Sequence, residues 1–272
     1  MKRIALTGAS GFVGRQIFNA LYEKKYKLLL FNHRSNFYSE SFADKVEYIA
    51  TKDIFLEKIE KLASVLQGVD TLIHSAWHVE HSNYLQSEKN FDCLTGSVAL
   101  AKACVQAGVR RFVGIGTCFE YDLSYGRLSV ETPLKPTTPY AAAKVSTFFA
   151  LTQYFLSKGV EFVWCRLFYL YGEGEDERRL VPYLRKQLAN GKIAELTSGT
   201  QVRDFLDVRE AGLLIAEIAQ GQQQGPINVC SGKPVTVRQL AEKIADEYGR
   251  RDLLRFGVRH DNIIDPPLVI GI

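Results

Sequence analysis

The feature that most constrains the fold is a glycine-rich turn near the start of the chain. An apolar run at residues 4–6 leads into the sequence TGASGFVG at residues 7–14, and then into a helical sequence at residues 15–24. A strand that enters a helix through such a turn is typical of a phosphate-binding loop, because N–H groups and the positive end of the helix dipole face the anion. The turn therefore predicts a bound dinucleotide; a glycine-rich turn without a ligand is the alternative.

The three glycines of this turn have separate expected roles. Gly8 permits the tight turn, Gly11 lets the backbone approach a pyrophosphate, and Gly14 allows the helix to pack closely on the strand. The residues of the turn that we expect to contact the cofactor are Gly8, Ser10, Gly11, Phe12, Val13 and Gly14.

Short apolar runs alternate with amphipathic helical stretches through the first 165 residues, which predicts a doubly wound parallel α/β sheet of the Rossmann type. The predicted strands are Ile4–Leu6, Leu28–Phe31, Val46–Ile49, Thr71–His74, Phe112–Ile115 and Phe162–Cys165. Beyond them the pattern becomes mixed, with helices expected from Val181 and from Thr236. We therefore expect a dinucleotide-binding domain at 1–165 and a smaller mixed C-terminal lobe at 166–272.

Composition and charge exclude several classes of protein. No apolar run approaches the roughly 20 residues needed to cross a bilayer, and residues 1–8 turn polar too early for a signal peptide, so we expect a cytoplasmic protein without a membrane partner. The net charge of +4 is unclustered, which argues against nucleic-acid binding. The five cysteines form no C-x-x-C pair and are expected to be reduced and mostly buried.

The end of the second predicted strand bears on the choice of dinucleotide. In NAD-binding sheets this strand ends in an acid that accepts hydrogen bonds from the ribose, about 20 residues after the glycines. Here Phe31 is followed by Asn32, His33 and Arg34, with no carboxylate and with an arginine that would attract a 2′-phosphate. Asn32, His33 and Arg34 are expected cofactor contacts, and NADPH is favoured over NAD. An exposed arginine without a ligand is the alternative for Arg34.

Asp53 and Ile54 follow the third predicted strand and are also expected to contact the cofactor. The Asp53 carboxylate could accept a hydrogen bond from the adenine amino group. It could equally cap the helix that begins near Leu56.

Tyr140 and Lys144 form a Y-x-x-x-K pair at the start of a predicted helix. Their i, i+4 spacing places the phenol and the ammonium on one helix face. Because an ordinary tyrosine pKa near ~10 is too high for efficient proton transfer, a neighbouring ammonium and a nicotinamide cation are expected to lower it. We predict that Tyr140 donates a proton and that Lys144 also holds the nicotinamide ribose. The pair follows a strand that ends at Thr117, which adds weight to a spacing that is common by chance.

Together these motifs resemble those of the extended short-chain dehydrogenase/reductase family, of the epimerase/dehydratase type. Residues 7–14 are similar to its T-G-x-x-G-x-x-G, Tyr140 and Lys144 to its Y-x-x-x-K, and Thr117 to its catalytic serine or threonine. The resemblance covers nearly the whole chain. It implies a nucleotide-sugar substrate whose reacting oxygen is hydrogen-bonded by Thr117 and protonated by Tyr140.

Further segments extend the resemblance and imply further contacts. Ser75 and Ala76 stand at the cofactor-lining end of the fourth strand. Tyr169 replaces the asparagine of the family's R-x-F-N-x-Y-G segment, and it is an expected substrate contact. Arg203 stands in a motif whose arginine binds the nucleotide diphosphate, and Arg259 resembles a second phosphate-binding arginine. A surface salt bridge is the alternative for each arginine.

Departures from the family's pattern narrow the expected reaction. Sugar 4,6-dehydratases place Asp-Glu directly after the catalytic threonine, whereas here Cys118 and Phe119 follow Thr117, which disfavours dehydration. Cys93 replaces an asparagine of the family. Glu120 is interpreted as a salt-bridge partner in a loop, with a site acid as the alternative.

The resemblance is strongest to nucleotide-sugar 4-ketoreductases, through the segments around Thr117 and at residues 168–171. It implies NADPH-dependent reduction of a nucleoside-diphosphate 4-keto-6-deoxyhexose at C4, in deoxysugar and lipopolysaccharide biosynthesis. An NAD-dependent 4-epimerase is the first alternative. A non-catalytic dinucleotide sensor is the second.

Three expectations concern the ends and assembly of the molecule. The chain stops at Ile272, where the family usually continues, so we expect either an unusually small C-terminal lobe or a shortened one. A homodimer is compatible with the resemblance. We expect no metal site, because His74, His78 and His81 straddle a strand end and a loop without supporting ligands.

Overall fold

The computed structural model describes residues 2–24, 26–32, 45–79, 83–262 and 265–272. The strands are β1 (Arg3–Thr7), β2 (Lys27–Asn32), β3 (Val46–Ala50), β4 (Thr71–His74), β5 (Arg111–Thr117), β6 (Arg127–Leu128), β7 (Glu161–Leu167), β8 (Tyr169–Tyr171), β9 (Ala194–Glu195), β10 (Val202–Asp207), β11 (Gly225–Val229), β12 (Pro234–Thr236), β13 (Leu254–Arg255) and β14 (Leu268–Gly271). The α-helices are α1 (Phe12–Tyr22), α2 (Ile59–Val65), α3 (Lys89–Ala107), α4 (Pro139–Lys158), α5 (Leu180–Ala189), α6 (Val208–Ile218) and α7 (Val237–Glu247). Within these described residues, no helix combines the length and the apolar character that a bilayer crossing requires.

Seven parallel strands form the main sheet in the order β11-β7-β5-β4-β1-β2-β3. All six predicted strands lie in this sheet, which confirms the expected Rossmann-type fold. The strand order reverses between β1 and β4, and ligands of such sheets bind in the crevice at the carboxyl ends of the strands on either side of that reversal. The glycine turn follows β1 at this point.

Side chains that alternate along the strands divide the core into two layers. Ile4 and Leu6 of β1 pack with α1 and α6 on one face of the sheet. Ala5, between them, faces α2, α3 and α4 on the other face. Because successive strand residues point to opposite faces, a strand buried on both sides appears in the sequence as a continuous apolar run.

A smaller sheet of mixed direction lies beside the main one, with the order β12-β10-β14-β6 and with β8 paired to β10. Helices α5 and α7 pack together over their own apolar cluster. The expected boundary between residues 165 and 166 does not separate the two sheets, because β11 joins the main sheet and α6 packs on α1.

Asp204 of β10 ties several segments of the smaller lobe together. Its fully buried carboxylate accepts hydrogen bonds from the Ser231 backbone N–H at 2.6 Å, the Ser231 hydroxyl at 2.7 Å, the Gly232 N–H at 2.9 Å and the Gly271 N–H at 3.2 Å. Hydrogen bonds to a charged acceptor are the stronger kind. The carboxylate therefore holds the turn after β11 and the end of β14 against β10.

Substitution of this carboxylate should destabilise the fold. Each carboxylate oxygen accepts two of these hydrogen bonds, so Asp204→Asn turns an amide N–H₂ toward at least one backbone N–H, and we expect the free energy of unfolding to fall by about 2 to 3 kcal/mol. Urea unfolding followed by circular dichroism measures it. The exposed Asp252→Asn is the control and should keep the wild-type midpoint. Equal midpoints for both variants would show that Asp204 does not hold these segments.

Candidate active site

A cavity of about 900 Å³ opens at the carboxyl ends of β1, β4 and β5 and extends to the segment after β7. It brings together most of the residues that the sequence singled out. Those that line it are Gly8, Ser10, Gly11, Phe12, Val13, Gly14, Asp53, Ile54, Ser75, Ala76, Thr117, Tyr140, Lys144 and Tyr169.

The glycine turn is shaped by close backbone contacts. Gly8 has a φ of +72°, and a Cβ there would lie 2.6 Å from the backbone nitrogen of Ala76, just after the neighbouring strand β4. A Cβ on Gly14 would lie 2.0 Å from the Gly8 carbonyl oxygen. Gly11 is the N-cap of α1 and has no side chain to accept from the first N–H groups of the helix. These groups are therefore available to an anion at the helix terminus.

A buried chain of hydrogen bonds supports the turn from below. The Ala76 N–H donates to the Thr7 hydroxyl oxygen at 3.1 Å, Thr7 donates to Nδ1 of His74 at 2.8 Å, and Nε2 of His74 donates to Ser97 at 2.9 Å. Ser97 donates in turn to a backbone carbonyl one turn earlier in α3, which fixes these directions and the Nε2–H tautomer. Burial, with a smaller contribution from Lys144, lowers the pKa of His74 to about 3, so the ring is neutral.

Thr117 ends β5 and caps the short 3-10 helix that follows. Its hydroxyl accepts from the Phe119 N–H at 3.3 Å, and its own N–H donates to the Glu120 carboxylate at 2.8 Å. Glu120 is fully buried beneath Thr117, and it accepts from Nε of Arg166 at 2.7 Å and from Nε1 of Trp164 at 3.0 Å. Burial raises the pKa of Glu120, and the Arg166 ion pair opposes that rise. Glu120 is thus an ion-pair partner as interpreted, although in the core rather than in a loop.

Tyr140 and Lys144 lie in the first turns of α4, on the cavity wall beside Thr117. Lys144 is 3% exposed, and its Nζ donates to the Ile115 carbonyl at 2.6 Å. Burial lowers the pKa of Lys144 to about 7, against the opposing charge of Glu120. Burial also raises the pKa of Tyr140, and hydrogen bonding to Thr117 opposes this. Lys144 was expected to lower the pKa of Tyr140. In the chain without a cofactor, burial of the phenol outweighs that effect, because the Lys144 ammonium is directed at the Ile115 carbonyl.

Several residues that line the cavity belong to none of the sequence motifs. Trp77 and Tyr84 pack edge-on against Tyr140, with ring centroids 6.3 Å and 5.0 Å away. Glu175 is almost buried, and its Oε1 lies 3.6 Å from Nε of Arg179. The alternating charges of residues 173–179 are typical of an exposed loop, so the sequence does not single out this carboxylate. Trp77 could have been identified as a cavity residue from its position directly after Ser75 and Ala76, which are expected to line the cofactor site.

Asp53 satisfies the capping alternative. Its carboxylate accepts from the Phe55 N–H at 2.9 Å and so caps the short 3-10 helix Ile54–Leu56. Because Asp53 also lines the cavity, contact with an adenine stays a prediction. Asn32 is the last residue of β2. His33, Arg34 and His81 lie outside the described residues, so their expected roles stay predictions.

The two arginines proposed for the diphosphate do not line the cavity. Arg203 is 3% exposed; its Nη2 lies 2.7 Å from the Asp265 carboxylate, and its guanidinium stands 5.2 Å from the Tyr169 ring centroid. Arg259 is exposed and donates to the Tyr183 hydroxyl at 3.1 Å. Phosphate binding by either arginine stays a prediction.

Comparison with known proteins identifies relatives over the whole chain. Residues 4–230 match the model of the NAD dependent epimerase/dehydratase family. A dTDP-6-deoxy-L-talose 4-dehydrogenase (NAD(+)) of Aggregatibacter actinomycetemcomitans is 27% identical, with 94% of each chain covered.

Two solved structures share the fold. One is a UDP-N-acetylglucosamine 4-epimerase from Methanobrevibacter ruminantium, with a TM-score of 0.83 and 23% identity over 100% of this chain and 89% of that one. The other is a UDP-glucose 4-epimerase from Thermotoga maritima, with a TM-score of 0.85 and 19% identity over 99% and 89%. The match over residues 4–230 takes in both the glycine turn and the Tyr140 helix, so the chain belongs to the NAD dependent epimerase/dehydratase family.

Proposed function

We propose that this protein is a dinucleotide-dependent oxidoreductase that reduces the C4 ketone of a nucleoside-diphosphate 4-keto-6-deoxyhexose. The observation that carries the proposal is the convergence of Thr117, Tyr140 and Lys144 on one wall of a cavity that begins at the glycine turn. A cofactor and a second, smaller molecule can therefore meet beside these three side chains.

The glycine turn fits a dinucleotide. Side chains at Gly8 and Gly14 would collide with backbone atoms, and Gly11 leaves the first N–H groups of α1 open to a pyrophosphate. We propose that Ser10, Phe12 and the rest of the turn hold the phosphates. The bound cofactor supplies a hydride for the carbonyl carbon.

Side chains of the protein then orient and protonate the oxygen of that carbonyl. As the carbon gains the hydride, the π electrons move to oxygen, and the Tyr140 phenol gives its proton to this oxygen. Burial keeps the phenol protonated before the reaction, since it raises the pKa of Tyr140. Thr117 stands beside the phenol to orient the carbonyl, and Lys144 provides a nearby ammonium for the tyrosinate that results.

Reduction is favoured over dehydration by the residues that follow Thr117. Elimination of water needs an acid and a base at this position, whereas Phe119 has no titratable group and burial raises the pKa of the Cys118 thiol. The name of the Aggregatibacter relative also supports C4 chemistry, because oxidation of a 6-deoxyhexose at C4 is the reverse of the proposed reduction.

A 4-epimerase is the second candidate. Two of the solved structures that share the fold are 4-epimerases, and the same three side chains suit removal and return of a hydride at C4. An epimerase keeps its dinucleotide through the cycle, whereas a reductase consumes reduced dinucleotide in proportion to product. This difference separates the two functions.

We further propose NADPH as the cofactor, because the end of β2 has no carboxylate and Arg34 follows it. NAD is the alternative, and it is the dinucleotide in the name of the Aggregatibacter relative. For the sugar nucleotide we propose contacts with Tyr169 and Arg203; Arg203 would first have to release Asp265. Phosphate binding by Arg259 stays a prediction. So do the cytoplasmic location, the role in lipopolysaccharide biosynthesis and the homodimer.

The reaction is tested by mixing the protein with CDP- or dTDP-4-keto-6-deoxyglucose and either NADPH or NADH. We expect loss of the reduced-nicotinamide absorbance, matched by loss of the ketone. UDP-glucose and UDP-N-acetylglucosamine serve as epimerase substrates in parallel. The reductase would be refuted if those sugars are interconverted without net loss of reduced dinucleotide and if neither ketosugar causes oxidation of NADPH or NADH.

Tyr140→Phe tests the proton donor. General acid catalysis contributes about 10² to 10⁴ in rate, so turnover should fall by that factor while dinucleotide affinity stays nearly constant. Tyr154→Phe, on the same helix but away from the cavity, is the matched control and should retain wild-type turnover. Wild-type turnover in the Tyr140 variant would remove this residue from the mechanism.

Arg34→Ala tests the choice of dinucleotide. A charge-assisted hydrogen bond to the 2′-phosphate contributes roughly 1.5 to 3 kcal/mol, so NADPH affinity should fall by about ten- to a hundredfold while NADH affinity holds. Arg110→Ala is the control, because Arg110 directly precedes β5 and so lies at the end of that strand away from Thr117 and the cavity. Equal weakening of both dinucleotides, or a wild-type preference for NADH, would contradict the assignment.

A further inference from the structure

Trp77 occupies a fixed place in the cavity wall, directly after β4. Its Nε1 donates to the side-chain oxygen of Asn90 at 2.9 Å. Asn90 is fully buried, and its amide nitrogen donates to the backbone carbonyls of Tyr84 at 2.6 Å and Ser87 at 2.8 Å. Both polar atoms of the Asn90 side chain are therefore engaged, and the indole ring is held in one orientation.

The face of this ring lies against the ammonium group of Lys144. Nζ of Lys144 is 3.6 Å from the ring centroid of Trp77, compared with 5.8 Å from that of Trp164. The Ile115 carbonyl accepts one hydrogen bond from the same nitrogen. An ammonium that has lost its water gains most from an aromatic face at such a distance.

The same indole ring also packs against Tyr140. The two rings are nearly perpendicular at 83°, with centroids 6.3 Å apart. Trp77 is thus in contact with both members of the Y-x-x-x-K pair, although it belongs to a different element of the fold. Phe55 is a second aromatic neighbour of Trp77, also T-shaped, with ring centroids 6.3 Å apart.

We propose that Trp77 is a positioning residue for the reaction: its face holds the Lys144 ammonium, and its perpendicular contact with the phenol ring holds Tyr140. The reaction in this statement is the one proposed above, and the role rests on it. The spacing of phenol and ammonium is then set by an aromatic side chain anchored through Asn90 as well as by the turn of α4.

The charged and titratable groups around Lys144 determine how its pKa would change if the Trp77 indole were removed. Glu120 faces it from the segment after β5, Cys93 from α3 and His74 from β4, while Tyr140 precedes it by one turn on α4. Burial lowers the pKa of Lys144 to about 7, and Glu120 opposes this. The aromatic face stabilises the charged amine, so loss of the face should lower the pKa of Lys144 further.

The experiment compares Trp77→Met, which fills space without a ring, with Trp77→Phe, which keeps a smaller ring. Lysine labelled with ¹³C at Cε allows NMR titration of Lys144 in the full chain without substrate, its signal being assigned by loss in Lys144→Arg. We expect the pKa of Lys144 to fall by about one pH unit in the Met variant and by less in the Phe variant. The alkaline limb of the kcat/KM profile should move with it.

Tyr84→Leu is the matched control, because the Tyr84 ring also packs on Tyr140, with centroids 5.0 Å apart, but is not one of the rings beside the Lys144 ammonium. It should leave the pKa of Lys144 unchanged. An unchanged pKa of Lys144 in a folded Met variant would overturn the role of Trp77, and if that variant does not fold, an unchanged pKa in the Phe variant would do so. Should no ketosugar be reduced while the pKa still depends on Trp77, the proposed reaction falls and the contact with Lys144 stands.

Discussion

The contact between the glycine turn and the neighbouring strands is the constraint on which the site depends. At Gly14 the helix backbone approaches the Gly8 carbonyl so closely that a Cβ would lie 2.0 Å from its oxygen. Gly8 in turn leaves no room for a side chain beside Ala76. With these contacts, α1 starts at the strand end with its N–H groups directed at the cavity. Larger residues would push the helix away from the sheet and remove the place where a phosphate binds.

A second constraint is the buried ion pair of Glu120 and Arg166. Two charges without water need complete hydrogen bonding, and here Trp164 and the Thr117 backbone complete the shell of the carboxylate. Arg166 also donates to the Tyr121 hydroxyl at 3.0 Å. This hydroxyl donates to Asn228, whose amide reaches the backbone carbonyl at the last residue of the chain. The wall that holds Thr117 is thereby connected to the smaller lobe.

Local patterns were enough to predict much of this molecule. The central parallel strands β1, β4 and β7 are buried on both faces, so each forms an apolar run. The glycine turn and the pair of Tyr140 and Lys144 are short motifs. The sequence does not predict contacts between distant segments. The pairing of Arg203 with Asp265 and the stacking of Trp77 on Lys144 join residues more than sixty positions apart, and no local spacing records them. For the same reason the sequence does not predict the return of β11 to the main sheet.

That return bears on how the chain folds while it is being synthesised. Arg111 at the start of β5 is fully buried, yet its guanidinium donates to the carbonyls of Ile218 and Gln223, which leave the ribosome more than a hundred residues later. Until then β7 is an open sheet edge, and the apolar face of α1 lacks its partner α6. Exposed strand edges and apolar faces are the surfaces through which unfinished chains aggregate. The nascent sheet therefore exposes an unpaired strand edge and an apolar helix face until residues 208–229 have been synthesised.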